Sequence, residues 1–216
     1  MNEIINALEK LRILPVIAVD DSKDAIPVMQ ALIDGGLPCA EITFRTDAAE
    51  DSIRIIGREF PNVVLGAGTV MTIEQVEKAL EAGASFIVTP GLNEPVVDYC
   101  ISRDVTVFPG CMDTYAIEKA IARGLEIVKF FPAEPMGGMK MINALAGPYN
   151  KLKFMPTGGI NPSNLSEYMK SDKIFSVGGS WMVKKALINE RRFDEISSLA
   201  HEAVEIRDKA GDHDGK

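Results

Sequence analysis

Histidine is almost absent from this 216-residue sequence. His201 and His213 both lie near its C-terminal end, which leaves little material for a histidine-rich zinc site. Cysteine is nearly as sparse. Cys39, Cys100 and Cys111 form an odd set without metal-ligand spacing, so reduced, buried thiols are expected and no metal. No apolar run is long enough to span a bilayer. The opening M-N-E-I-I-N-A-L-E-K carries acids inside its apolar periodicity and does not read as a secretory leader, which gives the expectation of a cytoplasmic protein. Positive charge is also in deficit. A formal net charge of −8 argues against nucleic acid or an anionic membrane as a partner, since both require clustered Lys and Arg, so any anion must be caught locally.

What is present is a regular alternation of short apolar runs and amphipathic segments. A hydrophobic content of 46% allows a substantial core, and the expectation is one domain over residues 1–210 with a disordered tail at 211–216. Residues 2–12 place Ile4, Ile5, Leu8 and Leu11 at helical spacing, a lead-in helix. Apolar runs at 14–19, 39–45, 63–69, 86–90, 105–110, from Ile127, 153–159 and 174–180 read as strands covered on both faces. Helices fall between them: one capped by Ser22 and stopped at Gly35-Gly36, then 46–60, one opened by a Thr72 capping box, one from Asn93, then 113–123, 139–146 and one from Asn161-Pro162, with a last helix over 192–209. Eight strand-then-helix units in one chain predict an α/β fold, a (β/α)₈ TIM barrel with an N-terminal lead-in helix. A doubly wound open sheet is the alternative, but no G-x-G-x-x-G follows the first strand.

The run I-V-K-F-F-P-A-E at 127–134 sets a lysine inside an apolar strand. Alternation puts Val128 and Phe130 on one face and Lys129 and Phe131 on the other. Burial disfavours the charged form of an amine, and a neutral amine is a nucleophile able to form a Schiff base with a carbonyl substrate. A lysine that snorkels to solvent from a strand end is the ordinary reading. Pro132, which ends the strand, and the flexible Gly137-Gly138 favour a lysine facing a cleft built of loops.

In a barrel, chemistry collects at the C-terminal strand ends. Glu41, Thr43 and Arg45 share one face of the second strand, as an internal ion-pair layer or as a proton shuttle and a carboxylate clamp. Gly66-Ala67-Gly68-Thr69 and Thr89-Pro90-Gly91 read equally as tight turns or as places of close backbone approach. Thr157-Gly158-Gly159 and Gly178-Gly179-Ser180 follow the strands where barrels hold phosphate. Each alone reads as an ordinary strand-to-helix turn; with Ser180 expected where a helix N-terminus begins, the two together favour a phosphate site without a lysine.

Two stretches, G-L-P-C-A-E-I-T-F-R at 36–45 and G-L-E-I-V-K-F-F-P-A-E-P-M-G at 124–137, resemble the two signature regions of the 2-keto-3-deoxy-6-phosphogluconate (KDPG) and 4-hydroxy-2-oxoglutarate (KHG) aldolase family. G-A-G-T-V, T-P-G, P-T-G-G-I and V-G-G-S-W stand in the same order, so the resemblance runs to about Met182. It implies a homotrimeric class I pyruvate aldolase on a (β/α)₈ barrel, needing no cofactor because the intermediate is an imine on Lys129. Glu41 would be the acid and base, and Arg45 and Thr69 would hold the pyruvate carboxylate. Pro90 and Phe131 would shape the pocket, Thr157 would touch the substrate, and Gly158, Gly159, Gly179 and Ser180 would hold phosphate. The implied substrate is a small 2-keto-4-hydroxy acid, phosphorylated in the case of KDPG.

One departure concerns Asp113-Thr114-Tyr115-Ala116, where many members carry T-x-S/T-E; an acid and a bulky ring there bear on the aldehyde half of the substrate. Three other classes compete with this reading. A phosphate-barrel isomerase or epimerase would share the glycine loops without an imine. A metal-dependent aldolase would want histidines that the sequence lacks, and a non-catalytic sugar-phosphate binder would turn nothing over.

Overall fold

The structure, a computed structural model, describes residues 3–211. Helix α1 (Glu3–Leu11) comes first and buries Leu8 completely. Eight parallel strands follow, β1 (Ile13–Ile17), β2 (Cys39–Thr43), β3 (Val64–Gly68), β4 (Phe86–Val88), β5 (Thr106–Phe108), β6 (Ile127–Phe130), β7 (Lys153–Pro156) and β8 (Val177–Gly179). They pair in the order β5-β4-β3-β2-β1-β8, with β6-β7 as a separate pair. Single parallel bridges, Gly110 with Lys129 on one side and Phe154 with Ile174 and Thr157 with Gly178 on the other, join the pair to the larger sheet and close the ring. This is the expected (β/α)₈ barrel.

Alternation along the strands divides the core in two. Leu14, Phe86, Val88, Phe108, Met155 and Phe175 pack with Leu8 of α1 in the barrel interior. Phe86 lies edge-on to Phe108, and Phe108 stands 5.6 Å from Phe175, so aromatic rings fill the lower part of the barrel. Neighbouring strand residues such as Ile42, Ile87, Val128 and Phe130 join the layer under the helices.

That outer layer is built from α2 (Ala25–Asp34), α3 (Ala49–Glu59), α4 (Ile73–Ala82), α5 (Glu94–Ser102), α6 (Thr114–Ile121), α7 (Gly138–Ala146), α8 (Pro162–Met169), α9 (Lys185–Asn189) and α10 (Phe193–Gly211). The side chains of Thr72, Asn93, Asp113 and Asn161 accept from first-turn amides as their residue types predict.

Four expectations need correction. Ser22 does not cap α2. Asp21, in extended backbone, accepts from the Lys23 amide and starts a 3₁₀ turn over Ser22–Asp24 that runs into the helix. The Gln75 side chain reaches back to the Met71 amide, not to that of Thr72, so only half of a capping box forms. Strand β8 is followed by a turn in which Val183 donates to the Ser180 carbonyl, and no helix begins until Lys185, so Ser180 is not at a helix N-terminus. Gly211, placed in a disordered tail by composition, is the last residue of α10, and residues 212–216 lie outside the described residues.

Candidate active site

Lys129 pairs in register with Met155, a residue of the barrel interior, so its side chain shares that inward face while Val128 and Phe130 point to the helices. Both of its backbone groups are tied to the loop after β5: its N–H donates to the Pro109 carbonyl and its carbonyl accepts from the Cys111 amide. The base of the side chain is therefore fixed. Its Nζ stands 3.2 Å from Oε1 of Glu41. Glu41 is 0% exposed and Lys129 3%, so the pair is shut away from bulk water. Each charge offsets the desolvation of the other, and neither could sit there alone without large cost. The second carboxylate oxygen, Oε2, is buried and has no hydrogen-bond partner among the described residues. A buried carboxylate with an unused acceptor beside an amine has what proton transfer at that amine requires.

Two glycines make room for the interior side chains. A Cβ on Gly68 would fall 2.0 Å from Glu41 Oε1, and one on Gly66 would fall 2.2 Å from the Phe86 ring. Neither glycine has a positive φ. The space these glycines leave is taken by side chains of the protein itself, from β2 and β4.

At the rim, Arg45 lies just beyond the end of β2 and is exposed; its Nε donates to Oγ1 of Thr69 at 3.2 Å. Thr69 has φ +55, a left-handed conformation uncommon for a threonine, and this turns its hydroxyl toward the arginine. Among the described residues no hydrogen bond links Arg45 to Glu41 or Lys129.

Pro90 is half-buried beside β5: its carbonyl occupies the place of a Cβ on Gly110, 2.2 Å from where that atom would be. The Thr89 hydroxyl donates to the Gly91 carbonyl, which holds that turn. Phe131 lies between the lysine and the loop after β7, with Lys129 Nζ 5.7 Å from its ring centroid and the ring 3.4 Å from a Cβ built on Gly158. The bond from Phe131 to Pro132 is a cis peptide.

Thr157 is buried and its Oγ1 has no hydrogen-bond partner among the described residues; Gly178 has no side chain because Oγ1 would stand 2.2 Å from its Cβ. Gly158 (φ +100) and Gly159 (φ +83) take backbone conformations that other residues reach only with strain. Gly179 accommodates the ring of Trp181, while Ser180 is exposed. Sequence reasoning picked out the stretches that hold Gly68 and Gly178 but not what these two glycines do, because the atom each makes way for belongs to another strand.

The Asp113 carboxylate is engaged in capping α6. Tyr115 is 69% exposed and lies over the Lys119 amine at 4.8 Å. The thiols are all buried. Desolvation pushes Cys39 and Cys111 up to about 12 and Cys100 up to about 11. Among the described residues no group of three or more His, Cys, Asp and Glu is placed to hold a metal, and no helix is long and apolar enough to cross a membrane. A cleft of about 500 Å³ opens at the N-terminal ends of β5, β6 and β7, beside Ile5, Val105, Leu125 and Ile127.

Comparison with known proteins places the chain as a whole. The model of the KDPG and KHG aldolase family matches residues 4–199. A 2-dehydro-3-deoxy-phosphogluconate aldolase of Haemophilus influenzae is 47% identical over 204 residues, 94% of this chain and 96% of that protein. One of Treponema pallidum is 44% identical over 206 residues, 95% and 98% of the respective chains. Among solved structures, a KDPG aldolase of Legionella pneumophila with pyruvate captured as a covalent carbinolamine superposes with a TM-score of 0.90 at 31% identity, covering 94% of this chain and 98% of that one.

Proposed function

The chain belongs to the KDPG and KHG aldolase family, and from that premise we propose how its residues divide the work. It is a class I aldolase that cleaves 2-dehydro-3-deoxy-6-phosphogluconate to pyruvate and glyceraldehyde 3-phosphate, and by the same chemistry 4-hydroxy-2-oxoglutarate to pyruvate and glyoxylate. The isomerase alternative is set aside: it needs no imine and gives the enclosed Glu41–Lys129 pair no task.

The Lys129 amine attacks the C2 ketone of the substrate, and a carbinolamine forms. Glu41 delivers a proton to the departing hydroxyl, water leaves, and a protonated imine remains. That imine is an electron sink. Glu41, through a water molecule, takes the proton of the C4 hydroxyl, the C3–C4 bond breaks, and its electrons pass into a pyruvate enamine as the aldehyde departs. Protonation at C3 and hydrolysis of the imine return the lysine and release pyruvate. The 3.2 Å separation of Nζ and Oε1, with Oε2 unpartnered, supports these roles and carries the proposal.

In this scheme Arg45 and Thr69 receive the substrate carboxylate, with Pro90 and Phe131 as pocket walls. Thr157 offers its unpartnered hydroxyl, and Gly158, Gly159, Gly179 and Ser180 line the phosphate end. The covalent imine stands in place of a cofactor, and the assembly is a homotrimer.

Incubation with pyruvate and borohydride followed by peptide mass spectrometry tests the scheme. The expected product is a reduced pyruvyl adduct on Lys129. Folded protein that gives no adduct, or one on another lysine, overturns the assignment.

A further inference from the structure

A carboxylate outside the reacting centre ties together the two loops that flank it. Glu134 stands five residues after Lys129, in a 3₁₀ turn over Glu134–Met136 that exposes much of the residue to solvent. Its carboxylate nonetheless turns inward and accepts a hydrogen bond from the hydroxyl of Tyr168 in α8, a fully buried residue. Burial, with the neighbouring carboxylate, pushes the phenol well above its ordinary range, so Tyr168 stays protonated and remains the donor.

The surroundings are cut to fit this contact. A Cβ on Gly159 would lie 2.5 Å from Glu134 Cβ, and one on Gly138 would lie 2.9 Å from Glu134 Oε1 and 3.0 Å from the Tyr168 oxygen. Both glycines have positive φ. The backbone of the same segment is laced to the loop after β7: the Ala133 amide donates to the Thr157 carbonyl at 2.8 Å, and the Glu134 amide to the Gly158 carbonyl at 3.0 Å. On the far side, the Asn161 and Asn164 side-chain amides donate to the Gly159 carbonyl. The carbonyls of Thr157, Gly158 and Gly159 are thus all held from outside, which fixes the peptide planes whose N–H groups face the other way.

We propose that Glu134 is a positioning residue for the phosphate end of the substrate: held by Tyr168, it locks the loop that follows the lysine strand to Gly158 and Gly159. This rests on the glycine loops binding phosphate, as proposed above. Glu134 has no part in bond making. It acts through the peptide groups that it keeps in place, so its loss should show where phosphate is bound more than where carbon is cleaved.

The test compares Glu134→Ala, Glu134→Gln and Tyr168→Phe with the unaltered enzyme on 2-dehydro-3-deoxy-6-phosphogluconate and on unphosphorylated 4-hydroxy-2-oxoglutarate. Glu134→Ala is expected to raise KM for the phosphorylated substrate about tenfold, with a smaller effect on the unphosphorylated one. Tyr168→Phe should do the same in part. Glu134→Gln keeps an acceptor oxygen for the phenol and should restore most of the affinity. Equal losses on both substrates, or none, overturn the proposal while the unaltered enzyme still prefers the phosphorylated compound. An unaltered enzyme with equal kcat/KM on both removes the phosphate reading of the loops, and the proposal with it.

Discussion

Glu41 and Lys129, 88 residues apart in the chain, meet inside the barrel with Oε1 and Nζ at 3.2 Å and almost no exposure between them. Each offsets much of the other's cost of leaving water, so structure and the proposed chemistry make opposite demands on the pair: the fold needs both partners present, while the proposed mechanism needs the amine free to attack.

Removing one partner should therefore cost stability as well as activity. Lys129→Ala is expected to lose the pyruvate adduct and about 3–5 kcal/mol of stability, since it strands a buried carboxylate. The double variant Lys129→Met with Glu41→Leu should recover most of that stability and none of the activity. Urea titration of the three proteins decides; a single variant as stable as the parent would mean that water reaches the site freely.

Glu41→Gln preserves shape and removes the proposed proton shuttle. Its kcat should fall by about 10²–10⁴-fold, the usual contribution of a positioned acid or base. Slow trapping of pyruvate on Lys129 should persist over hours. Steady-state rates near those of the parent would show that another group moves the proton.

Gly68→Ala places a methyl where Glu41 Oε1 now stands, at 2.0 Å. The carboxylate must swing away or β3 must shift, which is expected to cost about 1–3 kcal/mol and most of the turnover. Gly91→Ala, where an added Cβ meets nothing within 4 Å, is the matched control.

The thiols give a pH-dependent prediction. Because Cys39 and Cys111 are pushed up to about 12 and Cys100 to about 11 from an ordinary value of 9.0, the folded protein holds its thiol protons longer than the unfolded chain does. The stability they contribute is complete below about pH 9 and is lost as pH rises toward 11 to 12. A thiol reagent at pH 8 should find no reactive cysteine in the native protein and three in urea. Rapid native labelling of any of them would contradict this.

Much of the fold could be read from the residues, and for one reason: parallel strands covered on both faces appear as unbroken apolar runs, so all eight stood out. Lys129 and Glu41 were legible because a charged residue in such a run has to be explained. Strand ends were less so. Residues expected in β2, β3 and β4 leave the ladder early to form the loops of the site, and Thr69 turns left-handed at the very end of β3. Helix α9 has only five residues and follows Lys184, which offers no cap, so nothing marked its start. The work of Gly66, Gly68 and Gly178 was hidden, since a glycine that yields space to a side chain on another strand looks locally like any turn glycine.

The two-stranded pair that carries Lys129 joins the rest of the barrel through isolated bridges, one of them at the lysine itself. The residue that bridges β6 to the chain after β5 is thus the one that carries the buried amine, so the seam of the ring runs through the site itself. Any loosening of that seam would therefore move the amine away from Glu41, so the yield of pyruvate adduct across a urea titration reports the integrity of the closed ring as well as the chemistry of one side chain.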